Sequence, residues 1–339
     1  MEAVMNDRSL PDKLVSLPRQ KIVTTPTPLE PAERLSSRLG IRLLLKRDDL
    51  GGLGCGGNKL RKLEFILGKA LGQGVDTLLT TGGPQSNHAR LTAALAARMG
   101  FRCELYLKGE PRADVTGNLL LDRLFDADVA FLGEQPYDQI HMALDRRADE
   151  LRAAGRRPCV IPLGGATPEG TLGYVLAFHE MLEQCATLGI KPDWVVVAGG
   201  TGSTAAGLAV GAGLWSPGTR IASISVSWSR ETLEAEIRRH VESAASVIGV
   251  DAPAEGTFCV FDEYIGPGYS RPSDSGGAAL RLMARQEGVL LDMTYTAKAV
   301  AGLIDLARQG VIAADSSVVF VHTGGTPELF ARDPSVLLA

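Results

Sequence analysis

The chain is organised around the stretch Gly56-Gly57-Asn58-Lys59-Leu60-Arg61-Lys62-Leu63-Glu64, in which two glycines precede a lysine. The leucines recur at helical spacing, which predicts that Lys59 begins a helix. Unpaired N–H groups and the positive end of the helix dipole favour an anion there and a neutral lysine. Nucleophilic catalysis requires the neutral amine. The simpler interpretation is a solvated helix face carrying Lys59, Arg61 and Lys62.

Length and composition restrict the classes of protein. A chain of 339 residues with 45% hydrophobic content can bury a large core and is expected to form two domains. The formal net charge of −4 provides no broad basic surface, so nucleic acid and anionic membranes are poor candidate partners. A small-molecule substrate is therefore expected.

The cysteines and the chain start indicate a cytoplasmic protein. Five scattered cysteines without metal-ligand spacing are typical of reduced thiols, and no metal site is predicted. Glu2, Asp7 and Arg8 leave no apolar segment for a signal peptide. The apolar run 195–215 is interrupted by glycines and hydroxyl residues, so no membrane span is expected.

Strand and helix patterns alternate along most of the chain. Residues 76–81 have strand composition, and Ser86 and Asn87 then begin a helix that ends at Gly100. Such repetition predicts an α/β fold of parallel sheets covered by helices. The expected division is a smaller inserted domain at residues 56–164 and a larger domain formed by residues 1–55 and 165–339. The charged run 46–49 is either a salt-bridged corner or a functional element.

A second glycine cluster lies between a predicted strand and an alanine-rich helix. Its residues are Gly199, Gly200, Thr201, Gly202, Ser203 and Thr204. Converging N–H groups, hydroxyls and a helix start form a seat for a phosphate. A tight structural turn is the alternative, but it has little use for three hydroxyl side chains.

A nucleotide and a smaller phosphate-bearing cofactor are the candidate ligands of this seat. Residues 52–57 satisfy G-x-G-x-x-G, but residues 46–50 separate them from the strand, so the match to a dinucleotide fingerprint is weak. A phosphate seat distant in sequence from a reactive lysine suits a cofactor with a phosphate at one end and an aldehyde at the other. Pyridoxal phosphate is such a cofactor.

Six motifs together resemble the D-cysteine desulfhydrase and 1-aminocyclopropane-1-carboxylate (ACC) deaminase family. They are residues 56–64, Gln85-Ser86-Asn87-His88, residues 199–204, Gly266-Pro267-Gly268-Tyr269, residues 287–292 with Tyr295, and His322-Thr323-Gly324-Gly325. The similarity runs from about Thr25 to about Phe330. It implies a two-domain, fold-type II pyridoxal-phosphate enzyme like the tryptophan synthase β-subunit, working as a homodimer.

The resemblance also implies roles for individual residues. Lys59 would bind the cofactor aldehyde and move the substrate's protons, and Asn87 would bond the ring hydroxyl. The implied catalytic residues are Lys59, Ser86, Tyr269 and Tyr295. The implied cofactor contacts are Lys59, Lys62, Asn87, Gly199, Gly200, Thr201, Gly202, Ser203, Thr204, Thr296 and Thr323. The implied substrate contacts are Ser86, Asn87, His88 and Arg271, although packing roles are favoured for His88 and His322.

Two departures from the family pattern bear on the substrate. Thr296 and Thr323 stand where ACC deaminases have glutamate and leucine, and a neutral partner of the pyridine nitrogen favours loss of a β-leaving group over ring opening. Arg271 stands where relatives usually have a small or apolar residue. If its side chain points into the active site, it would bind a second anionic group of the substrate, and if it points outward, it is a surface charge.

The predicted function is elimination from a β-substituted alanine. D-cysteine is the leading substrate, giving pyruvate, ammonia and sulfide. L-cysteate sulfo-lyase is the alternative within this class, and ACC deaminase is a weaker one. An NAD-binding dehydrogenase and a non-catalytic pyridoxal-phosphate-binding protein are the alternatives from other classes.

Overall fold

A computed structural model describes residues 9–111 and 113–338, so Glu2, Asp7 and Arg8 lie outside the described residues. The helices are α1 Asp12–Ser16, α2 Glu33–Leu39, α3 Lys59–Gly72, α4 Asn87–Met99, α5 Gly117–Leu124, α6 Tyr137–Ala153, α7 Pro168–Thr187, α8 Ser203–Trp215, α9 Arg230–Ile248, α10 Asp274–Glu287, α11 Thr296–Arg308 and α12 Pro334–Leu338. The strands are β1 Leu29–Pro31, β2 Arg42–Arg47, β3 Thr77–Gly82, β4 Arg102–Leu107, β5 Asp128–Phe131, β6 Pro158–Ile161, β7 Trp194–Gly199, β8 Arg220–Ser225, β9 Phe258–Phe261 and β10 Ser317–His322.

The strands form two sheets with helices packed against them. The larger has the order β1-β2-β10-β7-β8-β9 and is parallel except for β1, which pairs with β2 in the antiparallel direction. The smaller has the order β5-β4-β3-β6 and is parallel throughout. The fold class predicted from the alternating pattern is confirmed, while the domain boundaries stay a prediction.

The centre of the larger sheet is buried on both faces. Every residue of β7 and β10 is buried, as expected for parallel strands covered by helices. Helix α8 contacts α7 closely, because a Cβ at Gly207 would lie 2.6 Å from Cβ of Tyr174. No helix in residues 9–111 or 113–338 has the length and apolarity needed to cross a membrane.

A buried polar network joins β2, α3 and α7. Asp48 accepts hydrogen bonds from Nη2 of Arg61 at 2.8 Å, from the Tyr174 hydroxyl at 2.5 Å and from the Thr27 hydroxyl at 2.8 Å. Nη2 of Arg61 also donates to Glu180 at 2.9 Å. Of the two interpretations of residues 46–49, the contacts support the salt-bridged corner. The network holds the start of α3, and therefore Lys59, against the larger sheet.

Candidate active site

A cavity of about 800 Å³ opens where strands of both sheets end. Its wall includes Gly83, Gly200 and Thr323, which directly follow β3, β7 and β10. Loops after the carboxyl ends of parallel strands are where α/β proteins bind their ligands. The predicted site residues on this wall are Lys59, Lys62, Ser86, Asn87, His88, Gly199, Gly200, Thr201, Gly202, Thr204, Tyr269, Arg271, Tyr295 and Thr323.

Two of the three lysines of α3, Lys59 and Lys62, line the cavity. Burial lowers the pKa of Lys59 to about 8, and it also lowers the pKa of Lys62, with the Lys59 charge adding to the effect. Arg61 and Lys62 are 2% and 1% exposed, so the solvated-face interpretation is wrong for them. Because the neutral amine is accessible near neutral pH, Lys59 is suited to attack a carbonyl group.

The glycine loop of residues 199–204 forms a cup rich in hydrogen-bond donors at the start of α8. Nζ of Lys62 donates to Oγ of Ser203 at 2.6 Å, and Nδ2 of Asn58 donates to Oγ1 of Thr204 at 3.1 Å. Gly202 precedes α8 with φ +82°, and a Cβ there would lie 2.9 Å from Ile237. Helix N–H groups, hydroxyls and lysine amines are the donors that bind phosphate.

The lysine and the cup share one neighbour. An ideal Cβ at Gly164 would lie 3.5 Å from Nζ of Lys59 and 3.2 Å from Oγ1 of Thr201. These two groups are therefore close in space although more than a hundred residues separate them in sequence. An amine beside a phosphate cup fits pyridoxal phosphate, which presents an aldehyde and a phosphate to the protein.

The start of α4 forms another wall. Oγ of Ser86 accepts a hydrogen bond from the Ala89 N–H at 3.1 Å, which leaves the Ser86 hydroxyl hydrogen as a donor. The Thr80 hydroxyl donates to the Ile161 carbonyl at 2.7 Å, so its oxygen accepts from Nε2–H of His88 at 2.9 Å. Burial, with Lys59 and Lys62 nearby, lowers the pKa of His88, so the ring is neutral.

Two tyrosines stand together on the wall. The hydroxyls of Tyr269 and Tyr295 are 2.7 Å apart, and their rings meet edge to face. Burial raises the pKa of Tyr295 well above its ordinary value, so this phenol stays protonated. Nζ of Lys298 donates to the carbonyls of Ile265 and Gly268 at 2.8 and 2.7 Å and so holds the loop that carries Tyr269.

The expectation for Thr296 requires correction. Its side chain is absent from the cavity wall, because Oγ1 donates to the Asp292 carboxylate at 2.6 Å and accepts the Asp292 N–H at 2.7 Å. Thr323 does line the cavity. His322 donates from Nε2 to the Leu290 carbonyl and accepts the Gly324 N–H at Nδ1, which agrees with the expected packing role.

Some wall residues were not anticipated from the sequence. Tyr137, Trp228 and Lys108 line the cavity but belong to none of the motifs. Nζ of Lys108 lies 5.5 Å from the centre of the Tyr137 ring and 3.8 Å from a carboxylate oxygen of Glu134. Only the arrangement of the segments that follow β4 and β5 of the smaller sheet and β8 of the larger sheet reveals them.

Comparison with known proteins assigns the family. The sequence profile described as "Pyridoxal-phosphate dependent enzyme" matches residues 21–324. D-cysteine desulfhydrase of Serratia proteamaculans (strain 568) is 42% identical over 97% of this chain and 100% of the relative, and that of Klebsiella pneumoniae (strain 342) is 42% identical over 95% and 98%. A solved structure described as an ACC deaminase homologue superposes with a TM-score of 0.88 at 35% identity, covering 96% of this chain and 97% of the other. The chain therefore belongs to the pyridoxal-phosphate dependent enzymes.

Proposed function

We propose that this chain catalyses α,β-elimination from a β-substituted alanine, with D-cysteine as the leading substrate and pyruvate, ammonia and sulfide as products. The observation that supports it most is the half-buried Lys59 amine, whose pKa is lowered by desolvation to about 8 and which lines the same cavity as the paired hydroxyls of Tyr269 and Tyr295. Two relatives with 42% identity over nearly their whole length are named D-cysteine desulfhydrase.

The residues that line the cavity have separate roles in this reaction. Bound pyridoxal phosphate supplies an aldehyde for the substrate amine and a ring that withdraws electrons from the α-carbon. The N–H groups at the start of α4, with the Ser86 hydroxyl, bind the substrate carboxylate. Neutral Lys59 takes the α-proton, the C–S bond breaks with its electron pair on sulfur, and the tyrosine hydroxyls donate hydrogen bonds to the departing thiolate. Hydrolysis of the remaining enamine gives pyruvate and ammonia.

The charges on the wall favour elimination over ring opening. Among the described residues, Glu110 and Glu134 are the carboxylates that line the cavity, and Glu134 lies near Lys108. Thr323, which is uncharged and lines the cavity, is the candidate hydrogen-bond partner of the cofactor's pyridine nitrogen. A neutral partner makes the ring a weaker electron sink, which suffices for loss of a good leaving group. ACC deamination is accordingly the weaker alternative.

The ionisation of Lys59 gives a prediction. When pyridoxal phosphate is added to cofactor-free protein, the rate at which violet absorbance returns is expected to rise with pH and level off above about 8, because the neutral amine reacts and burial lowers its pKa to about 8. Stopped-flow absorbance across pH 6 to 10.5 measures this rate. A rise that continues through roughly pH 10, as for an unperturbed lysine, would contradict the assignment.

Arg271 supports L-cysteate as the alternative substrate. Its side chain is exposed and also lines the cavity, two residues from Tyr269. A guanidinium in this place can form paired hydrogen bonds with a sulfonate. Elimination from cysteate would release sulfite by the same chemistry at Lys59.

Replacing Arg271 by alanine is expected to separate the two substrates. A lost charge-assisted hydrogen bond costs about 1.5–3 kcal/mol, so kcat/KM for L-cysteate should fall roughly 10- to 150-fold while that for D-cysteine changes little. Arg152→Ala, at an exposed site on α6, is the control. Equal effects on both substrates would leave Arg271 as a surface charge.

One screen tests the proposed reaction. Pyruvate release from D-cysteine, L-cysteine, L-cysteate, 3-chloro-D-alanine and ACC is measured with the cofactor-loaded enzyme, and sulfide or sulfite is assayed in parallel. The proposal requires D-cysteine to give pyruvate and sulfide in equal amounts. Binding of pyridoxal phosphate without turnover of any of these compounds would favour a non-catalytic protein instead. A cytoplasmic homodimer remains the expected form of the enzyme.

A further inference from the structure

Hydrogen bonds connect Gln85 and Asn87, which line the cavity, to Asn118, which lies behind them. Asn118, in the first turn of α5, is fully buried. Its Nδ2 donates to the backbone carbonyl of Gln85 at 2.9 Å and to Oδ1 of Asn87 at 2.9 Å. Gln85 and Asn87 belong to the segment that opens α4, so Asn118 connects that segment to a second helix.

The orientations of the Asn118 and Gln85 amides follow from backbone groups, and that of Asn87 follows from Asn118. A carbonyl oxygen only accepts, so the Asn118 atom that meets the Gln85 carbonyl must be the nitrogen. That nitrogen also meets Asn87, so the Asn87 atom facing it must be the oxygen. Gln85 is fixed in the same way, since its Nε2 donates to the Thr116 carbonyl at 2.9 Å and its Oε1 accepts the Asn118 N–H at 2.8 Å.

Glycine at position 117 allows the start of α5 to lie close to the Gln85 side chain. Gly117 has φ +58°, and a Cβ there would lie 2.4 Å from Oε1 of Gln85 and 2.8 Å from the Pro327 carbonyl. A side chain at this position would push α5 away from Gln85. The fold therefore brings Asn118 against Asn87 through a residue without a side chain.

We propose that Asn118 is a positioning residue for the cofactor. It fixes the Asn87 amide so that the NH2 group of Asn87, and not its oxygen, faces the cavity. Asn87 lines the cavity, and its oxygen is already used by Asn118. The proposal rests on the role of Asn87 toward the ring oxygen of pyridoxal phosphate. An N–H donor stabilises that oxygen in its ionised form and so lowers its pKa.

The test is Asn118→Asp, which keeps the shape but replaces the donor by an acceptor. An ionised carboxylate beside Oδ1 of Asn87 reverses the Asn87 amide, which then turns its oxygen toward the cofactor's oxygen. The Kd for pyridoxal phosphate is expected to rise about tenfold or more. The pH midpoint of the violet absorbance band of the loaded enzyme is expected to move upward by about one unit.

Leu119→Ala is the matched control, because Leu119 is the next residue of α5 and is fully buried but apolar. It should lower the Tm at least as much as Asn118→Asp while the Kd and the pH midpoint stay at wild-type values. Such a separation supports positioning through Asn87. A shift of the midpoint in Leu119→Ala equal to that in Asn118→Asp would overturn the proposal, since mere loosening of α5 would then explain it.

A second variant covers the case in which Asn118→Asp does not fold. Asn118→Leu removes the donor without adding charge, so the Asn87 amide takes both orientations and the midpoint moves in the same direction by a smaller amount. If Asn118→Leu has the pH midpoint of the wild type and a Kd within twofold of the wild-type Kd, the proposal is overturned. The Kd for pyridoxal phosphate and the pH midpoint of the absorbance band do not depend on turnover. If none of the substrates in the screen reacts, these two quantities still test the role of Asn118, so the two proposals fail separately.

Discussion

Replacing Lys59 by alanine is expected to remove the violet absorbance of the loaded enzyme and to lower kcat by roughly 10³-fold or more. The half-buried Lys59 amine, whose pKa is lowered to about 8 by desolvation, is the group proposed to bind the aldehyde and to take the α-proton. Both functions are lost in the same substitution. Absorbance of the purified protein and single-turnover pyruvate release are the measurements.

Two other lysines of α3 provide the controls for this result. Lys69→Ala removes a lysine that is 60% exposed and paired with Glu169, so absorbance and turnover should stay unchanged. Lys62→Ala removes the donor to Ser203 in the phosphate cup, so cofactor affinity should fall while the violet band persists at saturating cofactor. Retained turnover in Lys59→Ala, or loss of the band in Lys62→Ala at saturation, would contradict the assigned roles.

Local sequence signals were sufficient for the elements that present the site. Leucines at helical spacing after two glycines predicted that Lys59 begins a helix, and α3 does begin there. The glycine and hydroxyl cluster of residues 199–204 was predicted between a strand and a helix, and it joins β7 to α8. Both features are encoded by residues adjacent in sequence, where propensity and capping act.

Side-chain partners were less predictable, because they depend on competing contacts. Thr296 was expected at the pyridine nitrogen, yet Asp292 accepts its hydroxyl and the N–H groups of Thr294 and Tyr295. An aspartate often accepts the N–H groups of the residues just after it in a local turn, and this tendency could have indicated the contact. Asn118 offered no signal of that kind, since it lies 31 residues from Asn87 and belongs to no motif.

Replacing Asp48 by alanine is expected to cause the largest loss of stability among the substitutions considered. Arg61 is 2% exposed and donates to both carboxylate oxygens, from Nη2 at 2.8 Å and from Nε at 3.0 Å. Breaking a buried ion pair costs about 3–5 kcal/mol, because the remaining charge is buried without compensation. Glu180 still contacts Arg61, so the loss should lie near the lower end of that range.

Urea denaturation of the cofactor-free protein measures this free energy of unfolding. Asp149→Ala is the control, because Asp149 pairs with Arg152 across an exposed turn of α6 and surface pairs contribute little. Burial by itself raises the pKa of Asp48, but the charge and hydrogen bonds of Arg61, together with Lys46 and Tyr174, outweigh it and hold the pKa below its usual value. The stabilising contribution of Asp48 is therefore present above about pH 4 and is lost as the pH falls further. The difference between wild type and Asp48→Ala should therefore shrink in acid.

The same substitution tests how the fold positions the Lys59 amine. The Asp48 carbonyl accepts the N–H of Gly57 at 2.9 Å, and its carboxylate holds Arg61, so contacts to Asp48 lie on both sides of Lys59. If this corner fixes the amine, Asp48→Ala should also lower kcat at temperatures where the variant is fully folded. Loss of stability with an unchanged kcat would mean that the glycine loop and α3 position Lys59 without the network.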